Sequence, residues 1–135
     1  MLAQVNTHTV WSLRKATGEC NLFWLIGRAC RFYPAKVKLI IEDVITRNVA
    51  DKEYDQQQAK TWVETIVRQI QTQTKQLSIP AYKIVVQAVI GQVAGQGVRV
   101  ASKCLWDEAN DNYSTFTFTN HSLFCTGMVF GIYQE

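Results

Sequence analysis

The sequence predicts an α+β fold in which two helices are followed by a four-stranded antiparallel sheet. Before residue 78, apolar residues recur at helical spacing in two separate segments. After residue 80, the pattern changes to short runs of β-branched and aromatic residues separated by turn-forming residues. These runs are apolar on both faces, whereas an antiparallel sheet in a small monomer normally keeps one polar face. Two helices can cover one face, so a second protein chain is expected to cover the other.

The composition is that of one globular domain that does not act on nucleic acid or membranes. The chain has 135 residues, of which 47% are hydrophobic and 19% charged, enough to bury a core. The net charge is +3 and the basic residues are scattered, whereas a nucleic-acid groove or a membrane-binding surface needs a concentrated basic patch. The four cysteines include no C-x-x-C pair, so we expect free thiols in the cytoplasm.

The first 31 residues are predicted to be an arm that precedes the domain. Residues 1–22 show no periodicity and indicate a mobile segment. Residues 22–26 (Leu-Phe-Trp-Leu-Ile) fit either a short strand or an extended piece docked on the core. The expected division is therefore a partly disordered arm over 1–31 and a folded domain over 32–135.

Two amphipathic helices are predicted, over residues 35–48 and 55–77. Pro34 suits the first helical turn because its missing N–H would be unpaired there anyway. Asp55 and Gln58 are spaced like a capping box at the start of the second helix. The apolar stripe of the first helix comprises Val37, Ile40, Ile41, Val44 and Ile45, and that of the second Ala59, Trp62, Val63, Ile66, Val67, Ile70 and Leu77.

Four strands are predicted over residues 82–92, 98–106, 113–119 and 122–133, with a two-residue turn at Asn120 and His121. In the last strand, Gly127 and Gly131 predict a close backbone neighbour or a bulge. The glycine-rich segment 91–97 lacks the Lys-Ser/Thr ending of a phosphate loop and precedes a strand, so it is interpreted as a hairpin connection.

No residue pattern predicts a catalytic centre, a metal site or a cofactor. His121 lies four residues before Cys125, but an extended strand would hold them apart. The acidic turn around Asp107 and Asp111 lacks the closing Glu of a calcium loop. Phe116 and Phe118 could stack on RNA bases, but threonines surround them where RNA-binding sheets carry basic residues.

The second predicted strand is the best candidate for a functional site. Arg99 and Lys103 share one of its faces, a charge placement typical of protected sheet edges. A sheet edge can also accept a partner strand through main-chain hydrogen bonds. The residues alone leave both interpretations open: an ordinary charged edge or a peptide-docking edge.

Several segments resemble the Tctex-type dynein light chains. They are residues 82–91, 97–107, 111–113, 120–125 and 130–131, with Ala101-Ser102, Cys104, Trp106-Asp107 and Phe130-Gly131 in the family's order and spacing. The resemblance covers about residues 32–135 and is greatest to the Tctex domain-containing branch of ciliary and axonemal dyneins.

The resemblance implies a dimer in which each protomer lends its second strand to the sheet of the other. It also implies that the dynein intermediate chain adds an extended segment beside the lent strand. The partner-binding residues carried over in this way are Gly97, Val98, Arg99, Val100, Ala101, Ser102, Lys103 and Cys104. Because members of this branch often pair with a different Tctex-type chain, the partner protomer could be identical or related.

The expected function is that of a non-catalytic dynein light chain, without cofactor, in the cytoplasm and on the cytoskeleton of a cilium or flagellum axoneme. Two edges on one dimer would hold intermediate-chain segments by bivalency. The alternative is an adaptor that uses the same edge for cargo or signalling peptides independently of dynein.

Overall fold

Two helices lie against one face of an antiparallel sheet, which confirms the predicted α+β class. The computed structural model describes the backbone of residues 2–5 and residues 32–79, 82–93 and 111–133. The elements are β1 (Leu2–Val5), α1 (Pro34–Val49), α2 (Gln56–Gln76), β2 (Tyr82–Gln92), β3 (Asn112–Thr119) and β4 (Leu123–Tyr133). Neither described helix is long and apolar enough to cross a membrane.

Both helices form where the periodicity predicts them, to within one residue or two at their ends. α1 has Pro34 in its first turn and buries Val37, Ile41, Val44, Ile45 and Val49. α2 buries Thr74 and most of the predicted stripe, whereas Trp62 and Leu77 of that stripe are only partly buried; the buried stripe residues are Ala59, Val63, Ile66, Val67 and Ile70. Asp55 caps α2, but its side chain accepts from the backbone N–H of Gln57 at 2.8 Å, the N2 position of a simple N-cap.

The sheet has the strand order β1-β2-β4-β3, and β4 is its centre. All eleven residues of β2 pair with β4, from Tyr82 opposite Tyr133 to Gln92 opposite Leu123. On the other side, β3 pairs with β4 from Asn112 opposite Gly131 to Thr119 opposite Phe124. The three strands predicted over 82–92, 113–119 and 122–133 are therefore confirmed.

The hairpin between β3 and β4 also holds the loop between the helices. The Asn120 side chain accepts from the backbone N–H groups of Ser122 at 2.8 Å and Leu123 at 2.7 Å. Its amide nitrogen donates to the Lys52 carbonyl at 3.0 Å, and the Ser122 hydroxyl accepts from the Tyr54 N–H at 2.9 Å. Because Asn120 N also donates to Leu123 O, the two loop residues are His121 and Ser122, one position later than predicted.

The fourth strand of the described sheet differs from the one predicted. Residues 2–5 form β1 and pair with β2, in a segment for which the sequence predicts no strand. Four residues are too few for an alternating pattern to be recognised, and pairing with an existing strand supplies the hydrogen bonds that hold them. The predicted strand 98–106 lies outside the described residues.

The core lies between the helices and one face of the sheet. The two glycines of β4 allow side chains of α1 and of the residues before it to pack close to the sheet backbone. A Cβ atom on Gly127 would lie 2.7 Å from Ile41 Cγ2 and 3.0 Å from Ile45 Cδ1. A Cβ on Gly131 would meet the ring of Phe32. The predicted close neighbour is therefore present, but it consists of side chains before and within α1 instead of backbone.

Gly127→Ala is expected to lower the free energy of unfolding by about 1–3 kcal/mol, because the new methyl group overpacks the contact with α1. Ile41→Leu removes the branch methyl that the new Cβ would strike. In a double-mutant cycle measured by urea unfolding, the pair should cost less than the sum of its single variants. A strictly additive pair would contradict direct contact at this point.

Thr74→Val is expected to raise the free energy of unfolding by about 1 kcal/mol. Thr74 is 1% exposed, and its hydroxyl has no hydrogen-bond partner among the described residues. Valine keeps the shape and removes the unsatisfied group. The matched control is Thr72→Val in the same helix, because the exposed Thr72 hydroxyl donates to the Arg68 carbonyl at 2.9 Å. Equal effects of both substitutions on urea unfolding would contradict the interpretation.

Candidate partner-binding surface

The partner-binding residues predicted from the sequence, Gly97 to Cys104, all lie outside the described residues. The described part of the molecule contains the sheet that such a strand would join. Its outer face and its two edges are therefore the surfaces to consider.

The outer face of the sheet is apolar at its centre, as the sequence predicts. Residues of β4 alternate: Cys125, Gly127 and Val129 face the helices, whereas Thr126, Met128 and Phe130 face outward. These outward side chains, with Val89 of β2 opposite Thr126, are at most 7% exposed within the single chain. The outer face is therefore both apolar and buried at its centre.

The outer face becomes polar and exposed toward β3. Thr115, Thr117 and Thr119 are exposed and lie opposite β4 residues. The hydroxyl groups of Thr117 and Thr126 lie 3.0 Å apart and share a hydrogen bond. At the far end, Tyr113 is 55% exposed, and its ring centroid lies 6.3 Å from that of Phe130. This alternation is the pattern of a sheet whose margin meets solvent.

The two edges of the described sheet differ in length and in what lies beside them. β3 forms one edge over eight residues, Asn112 to Thr119, and carries no charged residue. On the other side, β1 pairs only with Ala88 to Gly91 of the eleven-residue β2. α2 packs against both β2 and β1, whereas α1 packs against β3 and β4. The helix layer therefore extends over the position beside β2.

Cys125 belongs to the core and is not a nucleophile. It is 0% exposed, and burial raises the pKa of its thiol from 9.0 to about 12. The thiolate is the reactive form of cysteine, so this environment suppresses its chemistry. His121 lies in the turn, 78% exposed and 3.8 Å from an exposed Glu53 carboxylate, on the solvent side of the hairpin.

Asp111, a residue of the predicted acidic turn, has a structural role. Asp111 Oδ1 accepts from the backbone N–H of Tyr133 at 2.7 Å, which ties the start of β3 to the end of β4. Asp107, the other named residue of the acidic turn, lies outside the described residues. Within the described ranges, no three His, Cys, Asp or Glu side chains are grouped so that they could hold a metal ion.

Comparison with known proteins establishes the family. The model of the Tctex-1 family matches residues 31–132, which include both helices and strands β2, β3 and β4. The chain belongs to the Tctex-1 family. This confirms the resemblance stated from the sequence motifs.

Curated relatives carry the same family name. The chain is 42% identical to dynein light chain Tctex-type 5-A of Xenopus laevis over 110 residues, which cover 82% of the chain and 62% of that relative. It is 36% identical to human dynein light chain Tctex-type 5 over 123 residues, 91% of the chain and 69% of the relative. It is 38% identical to human dynein light chain Tctex-type protein 2B over 103 residues, 76% and 72% of the two chains. The chain thus spans less than two thirds of the length of the first of these relatives.

The family is one of non-catalytic subunits and not of enzymes. Tctex-type dynein light chains are non-catalytic motor subunits, which confirms the prediction that the chain is not an enzyme. Sequence reasoning found β2, β3 and β4 but missed β1, which occupies one edge of this surface. Only the pairing partner distinguishes Leu2–Val5 from other short aperiodic segments.

Cys125 is expected to resist alkylation in the folded protein. At pH 9, a thiol with a pKa of about 12 is ionised about 500-fold less often than the same thiol in the unfolded chain, where its pKa is 9.0. Peptide mapping after iodoacetamide treatment should therefore show unmodified Cys125 in native buffer and full modification in urea. The same residue in the two solvents is its own control, and rapid labelling in native buffer would contradict its place in the core.

Proposed function

We propose that this chain is a dynein light chain that dimerises and binds the dynein intermediate chain by strand addition. The observation that carries the proposal is the Tctex-1 family match over residues 31–132, together with relatives whose names are those of dynein light chains. In this role the chain contributes a docking surface and no chemistry.

The proposed site is the strand from Gly97 to Cys104, carried over from the family. The strand follows β2 after a short glycine-rich connection in the sequence. Its alternate apolar residues, Val98 and Val100 among them, suit a strand packed against another protein surface. Arg99 and Lys103 add positive charge on the opposite face and favour an acidic partner segment.

Two protomers would exchange this strand, and each would then present an edge to an intermediate-chain segment. The second protomer is a copy of this chain or another Tctex-type light chain. Two edges in one dimer raise the effective concentration of the second binding event, so that weak single contacts hold a complex together. Such a subunit would associate with a dynein complex on the cytoskeleton, and we propose the axoneme of a cilium or flagellum as its location.

The outer face of the sheet is compatible with exchange but does not demand it. Met128 and Phe130 are buried in the single chain. The oligomeric state is consequently the quantity to measure.

Val100→Pro is expected to weaken dimerisation and intermediate-chain binding together, because proline removes a main-chain donor from the exchanged strand. Val100→Thr is the matched control, since it keeps the N–H and the β-branched shape. Light scattering measures the dimer at micromolar concentration, and titration with intermediate-chain fragments measures binding.

A stable monomer that binds no intermediate-chain fragment would overturn the proposed function. Dimers that ignore these fragments but bind other peptides on an array would instead favour an adaptor independent of dynein. An unchanged dimer in Val100→Pro, with binding intact, would place the docking strand elsewhere.

A further inference from the structure

A polar groove of about 350 Å³ runs along the side of α2 that faces away from the core. The described residues that line it, which together we call the α2 groove, are Thr65, Arg68, Gln69, Thr72 and Gln73. Four of them are exposed and Gln73 is half-buried. Their spacing of i, i+3, i+4, i+7 and i+8 places them in one stripe of the helix. At a rise of about 1.5 Å per residue, this stripe is about 12 Å long.

The two threonine hydroxyls of the α2 groove are already committed as donors. Thr65 Oγ1 donates to the Thr61 carbonyl, and Thr72 Oγ1 donates to the Arg68 carbonyl, each at 2.9 Å. Both hydrogen bonds lie within α2, and a hydroxyl group has only one proton to donate. The donors that remain for a ligand are therefore those of the arginine and glutamine side chains.

α1 fixes the orientation of the Gln69 amide. Asn48 Nδ2 donates to the Val44 carbonyl at 2.7 Å and to Gln69 Oε1 at 2.8 Å. A main-chain carbonyl can only accept, so Asn48 must present its NH₂ group, and Gln69 must then accept with its oxygen. The NH₂ group of Gln69 consequently remains available as a donor to the α2 groove.

Arg68 gives the α2 groove its charge. It is the one charged residue in the described lining, and its guanidinium has no hydrogen bond or ion pair with any residue that the structure describes. Glu64, one turn earlier in α2, is half-buried and does not line the groove. A guanidinium presents its N–H donors in a planar fork that matches a carboxylate. The α2 groove thus offers mainly donors and one positive charge.

We propose that the α2 groove binds an acidic peptide segment of a partner protein. Arg68 holds a carboxylate, and the amide groups of Gln69 and Gln73 donate to main-chain carbonyls of the segment. An extended chain advances about 3.3 Å per residue, so the groove accommodates about four residues. A single cation suits such a segment better than a membrane surface, which attracts clusters of basic residues. The groove lies on α2, outside the strand proposed for the intermediate chain, so this inference goes beyond the proposed function.

NMR titration of the full chain with a capped Gly-Asp-Glu-Asp-Gly peptide tests the proposal. We expect saturable shifts of the Arg68 Nε–H and of the side-chain amides of Gln69 and Gln73, with a Kd of about 1 mM for these exposed contacts. The matched ligand, capped Gly-Asn-Gln-Asn-Gly, keeps the shape of the peptide and removes its charge, and it should bind about tenfold more weakly. Inorganic phosphate at the same ionic strength should not compete with the acidic peptide.

Substitutions in α2 locate the site. Arg68→Gln should weaken binding of the acidic peptide by about tenfold, because the charge-assisted hydrogen bonds to the carboxylate are lost. Gln69→Met keeps the length of the side chain and removes its donor, so binding should weaken by about threefold. The matched control is Lys60→Gln, which removes the same charge from an exposed position of α2 outside the groove and should leave the affinity unchanged.

The outcomes separate this inference from the proposed function. Equal weakening by Arg68→Gln and Lys60→Gln would reveal only a general attraction to positive charge and would overturn the site. Equal binding of the two peptides, competition by phosphate, or the lack of any saturable shift would overturn it as well. These results leave strand addition to the intermediate chain standing. A monomer that ignores intermediate-chain fragments, conversely, overturns the proposed function and leaves the α2 groove standing.

Discussion

The close approach of α1 to the central strand β4 is the constraint on which the rest of the structure depends. β4 pairs with β2 on one side and with β3 on the other, and β1 joins the sheet through β2. Gly127 lets Ile41 and Ile45 lie almost against its backbone, and Gly131 does the same for the ring of Phe32. A side chain at either position would lift the helices from the sheet, since protein interiors contain little free space to absorb it.

This approach places the two helices over different parts of the sheet. α1 lies over β3 and β4, whereas α2 lies over β2 and β1. The Asn120–Ser122 turn then ties the loop between the helices to the hairpin between β3 and β4. Since the helices shield only one face, the apolar outer side chains of β4 form a second buried group apart from the main core.

The proposed function relies on the edges and faces of the sheet and not on reactive groups. The Cys125 thiol is held neutral by burial, His121 is on the solvent side of a turn, and Asp111 caps the end of β4. In that proposal, the described part of the molecule contributes the outer face of the sheet and its uncharged β3 edge. Membership of the Tctex-1 family agrees with a subunit that binds without catalysing.

The sequence by itself determined the two helices, the strands β2, β3 and β4, and the family. These elements could be predicted because their signals are local and repeated: helical stripes over many turns, two-sided apolar strands, and motif residues at defined spacing. The glycines at 127 and 131 even predicted a close approach, although not that its partners would be Ile41 and Phe32.

Only the tertiary structure decided that Leu2–Val5 pairs with β2 and that the outer face is buried at its centre. Leu2–Val5 is a strand because β2 offers it hydrogen bonds, and nothing within four residues encodes a partner more than eighty positions away. The burial of Met128 and Phe130 in the single chain likewise could not be predicted from a pattern. An apolar side chain is expected to be buried, but its identity does not specify which part of the protein, or which partner, will bury it. The docking strand from Gly97 to Cys104 is a prediction from the sequence, whereas the strand order β1-β2-β4-β3 is a property of the fold.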